Sequence, residues 1–456
     1  MVLLASKVNR PLVKVFITLA CILTLKEAIA QRKQYIDPLQ KKIAGMDTAV
    51  RRWKSWNILF KTGTSHASMA NAITEVERYI DNYLAGIHPG WHANFDLFYC
   101  PCDSTLYNLG ATPVDGVGNA VIPPSGGPNP PIPSGDMLAL GVNNGIQENY
   151  EGKPYKIDTG KLVIPVAANA DKILAIIDTG LDSTLLEHHI MTHIWRAPVK
   201  QLALYNYITN SRSQFANFFD DQVEKHGSGV LGVAVKAMSP GSLPRLMILK
   251  ALDGRKKGST FTVSCAISYA IQNHADAINA SLGYYEHNGK VDPILGEYLT
   301  RCSKNNIYVF AAAGNLPGTH DPSSLCKHGN MITNQLTPTN LFFPACFSTK
   351  IKHVIAVTGL LDLKGSCFYQ NFSGTLVTVG VVNDPQCCKF ILPFFKFGYE
   401  GSSFATPAAV GMTMRKSIDG AIPIDAALNS LIQRANDLRN IVKDGQYLKY
   451  TGNPSN

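Results

Sequence analysis

Charge is what this 456-residue chain has little of: Asp, Glu, Lys and Arg supply 16% of it, against a usual share of about 25%. The Lys and Arg residues are scattered and form no basic run, so nothing indicates a nucleic-acid groove. The formal charge is +9, and a third of it sits in the first thirty residues, where Lys7, Arg10, Lys14 and Lys26 face only Glu27. No apolar run reaches the ~20 residues a membrane span needs. No internal repeat is present, which argues against solenoid and propeller architectures. His188, His189 and His193 surround Glu187, but the Glu is not placed as in His-Glu-x-x-His, so a solvated helix is the better reading than a metal site.

Hydrophobic residues are plentiful, at 45%, which is enough for a full core. The length allows two or three domains, or one large domain with an N-terminal extension. Residues 1–30 read as a secretory signal: a basic start, an apolar Val15–Leu25 and a small-residue Ala28-Ile29-Ala30 before Gln31. A secreted or periplasmic protein is expected, with no membrane attachment after the signal is removed. Ten cysteines fit export. Cys21 leaves with the signal and Cys265 falls in an apolar helical pattern, as a buried thiol would. Cys326 with Cys346, and Cys367 with Cys387 and Cys388, are the expected bridging groups, and Cys100 and Cys102 are expected to bridge to other cysteines.

Residues 31–110 combine a helical pattern at Ala67–Ala85 with an irregular cysteine-containing end. Residues 111–135 are rich in Pro and Gly and read as a linker. From residue 136 to 456 the pattern alternates. Short β runs at Lys172–Ile177, Arg245–Leu252, Ala277–Leu282, Ile307–Ala313 and Val354–Thr358 are separated by helices such as Ser259–Asn273 and Pro293–Lys304. Continuous apolar strands between helices predict an α/β fold with a mainly parallel sheet covered on both faces. Ile424–Val442 reads as a closing amphipathic helix.

Gly401-Ser402-Ser403-Phe404-Ala405-Thr406-Pro407 puts a hydroxyl at a turn-to-helix junction. Pro407 is tolerated in the first turn, where its missing N–H is not needed. Ser403 thereby meets free N–H groups and the positive end of a helix, which suits developing negative charge. Strand Lys172–Ile177 ends in Asp178, and open α/β sheets place their sites at such ends. His226 opens a small-residue helix start, and Gly314-Asn315 presents an amide after strand Ile307–Ala313. Each is weak alone, since caps, core histidines and Gly-Asn turns are common. Together, in the order Asp, His, Asn, Ser, they are not.

Those motifs, with Ile176–Gly180, His226–Gly232, Ile278–Gly283 and Ala311–Asn315, resemble the subtilisin-like serine proteases, the subtilase family, over about Lys172–Asp419. The resemblance implies a three-layer α/β/α catalytic domain and a secreted endopeptidase acting on proteins or peptides. Asp178, His226 and Ser403 would be the triad and Asn315 the oxyanion donor. Ser281, Leu282, Gly283, Ala312, Ala313 and Gly314 would line the substrate pocket. No cofactor is required for the chemistry, although structural calcium is common in the family. Residues 31–110 would be a propeptide, acting as an intramolecular inhibitor, or a retained accessory region. Several features depart from the family, among them Ser402 in place of Thr. Ser228-Gly229 replaces Thr-His, the usual Ala-Pro-Gly before the nucleophile is absent, and a cysteine-containing loop is inserted at Asp384–Phe397.

Two rival readings remain. Asp158–Gly160 and Asp178–Gly180 repeat Asp-Thr-Gly, the mark of aspartic proteases, but they stand too close to come from two lobes. The other rival is a catalytically silent exported binding module on the same scaffold.

Overall fold

Uninterrupted apolar runs belong in strands that are buried on both faces, and that is where this chain places them. The structure, a computed structural model, describes residues 54–100, 102–123, 127–132, 135–147, 161–162, 166–195, 205–206, 219–239, 241–287, 289–316, 334–361, 363, 365–367, 369–383 and 390–450. The signal at 1–30, Asp158–Gly160, Cys21, Cys326, Cys387 and Cys388 lie outside the described residues.

The main elements in chain order are β1 (Lys54–Phe60), α1 (His66–Ile87), β2 (His92–Cys100), β3 (Asp103–Val114), β4 (Met137–Val142), β5 (Val166–Asp178), α2 (His226–Met238), β6 (Gly241–Lys250), α3 (Thr260–Gln272), β7 (Ala277–Ala280), α4 (Pro293–Lys304), β8 (Tyr308–Ala312), β9 (Val354–Leu361), β10 (Val379–Val382), α5 (Ser402–Asp419), α6 (Ile424–Leu431) and β11 (Gln446–Lys449). The central sheet runs β11-β10-β9-β8-β7-β5-β6, with every neighbour parallel. Tyr205–Asn206 extends one end, and antiparallel Gln433–Arg434 closes the other.

Side-chain alternation divides the core. Leu174 and Ile176 of β5 share one cluster with Val230 and Val233 of α2 and Ala408 and Ala409 of α5. Ala175 and Ile177 point the other way, joining Val263 and Ile267 of α3 and Ile294 and Leu295 of α4. The result is three layers, α/β/α. Local signals start the helices: Ser259 and Thr262 form a capping box on α3, and Asp292 caps α4 with Pro293 in its first turn.

The chain divides into two compact units. The larger holds residues 56–75 and 99–108 together with everything after 128. Within it Trp56–Phe60 pairs antiparallel with Met137–Val142, and Leu59, Leu106 and Ala139 join the α3–α4 side of the core. Asn57 Nδ2 donates to Thr260 Oγ1 at 2.8 Å. In the smaller unit Val76, Ile80 and Leu84 form a buried helix face, and Asp81 Oδ1 accepts from Ala93 N at 2.8 Å. This differs from a division at residues 110 and 136. Proline and glycine mark exposed turns, but they do not report which distant strands will pair.

Two expected elements are shorter or longer than the pattern suggests. The linker expected at 111–135 begins inside β3, with Ala111, Thr112 and Val114 buried. The helix expected over Ile424–Val442 stops at Leu431, because Ile432 turns extended and Gln433–Arg434 pairs with β11. Sheet-edge pairing overrides the helical periodicity there. Residues Phe390–Leu392 and Phe395–Tyr399, which begin in the inserted stretch and run two residues past it, form a hairpin. Its Phe390, Leu392, Phe394 and Tyr399 pack into the α2–α5 cluster.

Candidate active site

β5 ends on Asp178, whose side chain is buried. Its Oδ1 accepts from Thr179 N at 2.7 Å and lies 2.7 Å from His226 Nδ1. A carboxylate can only accept, so Nδ1 carries the proton and Nε2 is left as the basic nitrogen. His226 is held at the first residue of α2, its N–H donating to Gln222 Oε1 at 2.9 Å. Gly227 has to be glycine because a β-carbon there would overlap the Gly180 carbonyl oxygen. The imidazole meets Phe404 edge-on at 5.0 Å, and Tyr399 stacks on Phe404 at 4.4 Å. Tyr399 OH donates to the Glu224 carbonyl at 2.9 Å, which ties the inserted hairpin to the segment before His226.

Behind the pair lies a polar cluster. Asp220, fully buried, accepts from Thr179 Oγ1 at 2.9 Å, Ser228 N at 2.9 Å and Ser228 Oγ at 2.8 Å. Thr179 Oγ1 accepts from Gly227 N at 2.8 Å, and Ser228 Oγ accepts from Asp182 N at 2.8 Å. One carboxylate therefore fixes the β5 turn against the start of α2. Lys250 adds a buried cation that donates to the Thr179 carbonyl and lies 2.7 Å from Asp221 Oδ1.

Burial raises the Asp220 carboxyl, against the opposing hydrogen bonds from Ser228 and Thr179. A carboxyl that keeps its proton to higher pH when folded contributes stability below the unfolded pKa of about 3.9. That contribution is lost as pH rises through the folded value. Asp220→Asn is expected to flatten this fall, seen as a weaker decline of the urea midpoint upward from about pH 4.

Ser403 opens α5 after Gly401, whose φ of 101° belongs to glycine. Its Oγ donates to the Ser281 carbonyl at 3.3 Å, and Ser281 Oγ donates to the Ser403 carbonyl at 2.6 Å. Asn315 follows β8 and faces the same corner: its Oδ1 accepts from Ser402 N at 3.0 Å, and a β-carbon on Gly401 would sit 3.2 Å from its Nδ2. Gly314 N donates to Ser402 Oγ at 3.0 Å. Tyr285 OH lies 2.8 Å from both the Asn315 carbonyl and Asn371 Oδ1, while Asn371 Nδ2 donates to the Ala313 carbonyl at 2.7 Å.

The structure thus brings Asp178 to His226, Ser403 to Ser281, and Asn315 to the Gly401–Ser402 corner. Of the proposed pocket residues, Ser281, Leu282, Ala312 and Ala313 are buried. Gly283 packs against Phe342 and Phe343, where no side chain would fit. Asp220, Tyr285, Asn371 and Tyr399 were not singled out by sequence. The one available signal was the Asp220-Asp221 pair shortly before His226.

Residues 169–381 match the model of the Subtilase family. The matched segment is just under half of the chain. It includes Asp178, His226 and Asn315, and Ser403 lies beyond its end. The chain is similar to a cell wall-associated protease of Bacillus subtilis (strain 168), 26% identical over 180 residues, or 38% of this chain and 18% of that protein. It therefore spans less than a fifth of that relative. A cold-adapted subtilisin-like serine proteinase aligns at TM-score 0.42 and 16% identity, over 66% of this chain and 96% of its own. A lanthipeptide protease aligns at TM-score 0.43 and 16% identity, over 61% of this chain and 85% of its own.

Cys367 is disulfide-bonded. Cys346, expected to bridge, is a buried thiol, because it lies against the Phe342 backbone N–H rather than beside another sulfur. Cys100 and Cys102, also expected to bridge, are thiols here. His189 pairs with Glu187 at 3.1 Å on a short helix, His188–Met191. Among the described residues no group of three His, Cys, Asp or Glu side chains is arranged to hold a metal. No described helix is long and apolar enough to cross a membrane.

Proposed function

We propose that the protein is a secreted serine endopeptidase that hydrolyses peptide bonds through an acyl-enzyme on Ser403. The observation that carries this reading is the buried 2.7 Å contact between Asp178 and His226, with Phe404, the residue after Ser403, against the same imidazole. Ser403 Oγ would turn from the Ser281 carbonyl toward His226 Nε2, lose its proton there and attack the substrate carbonyl. His226 would then pass that proton to the leaving amine. Asp178 would hold the imidazole in its productive tautomer and stabilise the cation. Water would release the acyl group by the same steps.

The developing oxyanion would take hydrogen bonds from the Asn315 side chain and the Ser403 N–H at the start of α5. Asn315→Ala is expected to lower kcat by about 10²–10³ with little change in KM, because the bond forms in the transition state. Hydrolysis of casein or a peptide anilide by the purified protein tests the reaction itself. A folded protein that turns over neither substrate leaves the silent binding scaffold as the better reading.

The same reading gives the N-terminal segment a role as folding partner and intramolecular inhibitor, with the chain cut beyond residue 110 on maturation. Structural calcium remains part of this proposal and enters no chemical step. Mass spectrometry of the exported wild type is expected to find an N-terminus beyond residue 110, and that of Ser403→Ala one near Gln31. An N-terminus near Gln31 in both would rule out self-processing.

A further inference from the structure

Three thiols meet where the turn between β2 and β3 lies on α3, all within the larger unit. Cys100 and Cys102 have their sulfurs 3.1 Å apart, and Cys102 Sγ lies 3.2 Å from the Cys265 carbonyl oxygen. Cys100 and Cys265 are buried in the same core cluster, and Cys102 packs against it. The turn is held in place independently of the sulfurs. Gln272 Nε2, at the end of α3, donates to the Cys102 carbonyl. Asp103 accepts from Tyr298 OH at 2.6 Å, Arg301 Nη1 at 3.3 Å and Thr105 N at 2.9 Å. That carboxylate is therefore occupied and does not turn the trio into a metal site. Cys100 and Cys265 are buried, whereas Cys102 is partly open to solvent.

We propose that Cys100, Cys102 and Cys265 form an oxidation site whose end product is a Cys100–Cys265 disulfide, stapling the β2–β3 turn to α3. The oxidant is a small disulfide, RSSR. Cys102, the accessible sulfur, attacks it as the thiolate, giving a mixed disulfide and releasing one RSH. Cys100 gives up its proton, displaces the second RSH and forms a Cys100–Cys102 bond. Cys265, deprotonated in turn, attacks the Cys100 sulfur, and Cys102 leaves and is reprotonated as a thiol. Two protein thiols and RSSR become one protein disulfide and two RSH, with two electrons passed to the oxidant. Burial pushes the Cys265 thiol up to about 11 and raises that of Cys100, which disfavours direct attack by either on an outside oxidant. The staple would keep residues 54–108 attached to α3 after a cut anywhere in the Pro/Gly-rich stretch, and it does not depend on peptidase activity.

The test uses the full chain carrying Ser403→Ala, so that self-cleavage does not enter. After exposure to oxidised glutathione, the protein is unfolded in denaturant with N-ethylmaleimide and no reductant, and its unreduced peptides are mapped. The expected product joins the Cys265 peptide to the Cys100 peptide, with Cys102 carrying the maleimide. Cys102→Ser should still yield the cross-link, at least about tenfold more slowly, because the accessible entry point is gone. Maleimide on all three sulfurs overturns the proposal, as does oxidation that stops at Cys100–Cys102. Equal rates with and without Cys102 overturn the relay.

Discussion

Replacing Ser403 by alanine is expected to reduce kcat on a peptide anilide by about 10⁶, leaving a rate only ~10³–10⁴ above that in water. In subtilisin the nucleophile and base act as one unit, so removing either costs nearly as much as removing both. The same non-additivity is expected here: His226→Ala and the double variant should fall to within about tenfold of Ser403→Ala. Ser403 is buried, and its Oγ donates to the Ser281 carbonyl. The alanine variant therefore leaves one carbonyl without its donor, at a cost of about 1 kcal/mol of stability. A circular dichroism melt that stays cooperative would separate lost chemistry from lost folding.

Asp178→Asn is expected to lower kcat by about 10⁴ while KM changes little. The physical reason is the proton count at Asp178 Oδ1, which accepts from both Thr179 N and His226 Nδ1. An asparagine can keep the Thr179 bond only by presenting its oxygen at that position. If instead its NH₂ group faces the imidazole, Nδ1 must become the acceptor and Nε2 the donor. Ser403 would then lose its base. Because an ionised carboxylate also stabilises the imidazolium, the deficit should be largest near neutral pH. It should shrink toward high pH, where hydroxide can take the serine proton directly. A loss confined to KM would contradict this role for Asp178.

Much of this arrangement was legible in sequence for identifiable reasons. Strands β5 to β9 announced themselves because a parallel strand covered on both faces is apolar along most of its length. Helix α4 was visible end to end because Asp292 and Pro293 mark its start. The candidate site residues stood out because each follows a strand or opens a helix. The supporting polar cluster did not. Asp220, Asn371 and Tyr285 carry no periodicity, and only their hydrogen bonds across distant segments give them meaning. The pairing of β1 with β4 was likewise hidden, since register between strands so far apart leaves no local mark. The inserted hairpin reads as a loop but packs as core, because Phe390, Leu392, Phe394 and Tyr399 reach the cluster under α2. It also stands between the end of the matched subtilase segment and Ser403.

The most direct measurement is covalent labelling of the purified, folded protein with a fluorophosphonate, followed by peptide mapping. The account predicts a phosphonylated peptide modified at Ser403, lost in Ser403→Ala and greatly slowed in His226→Ala. A folded protein that takes up no label, or takes it up on another residue while still cleaving peptides, would contradict it.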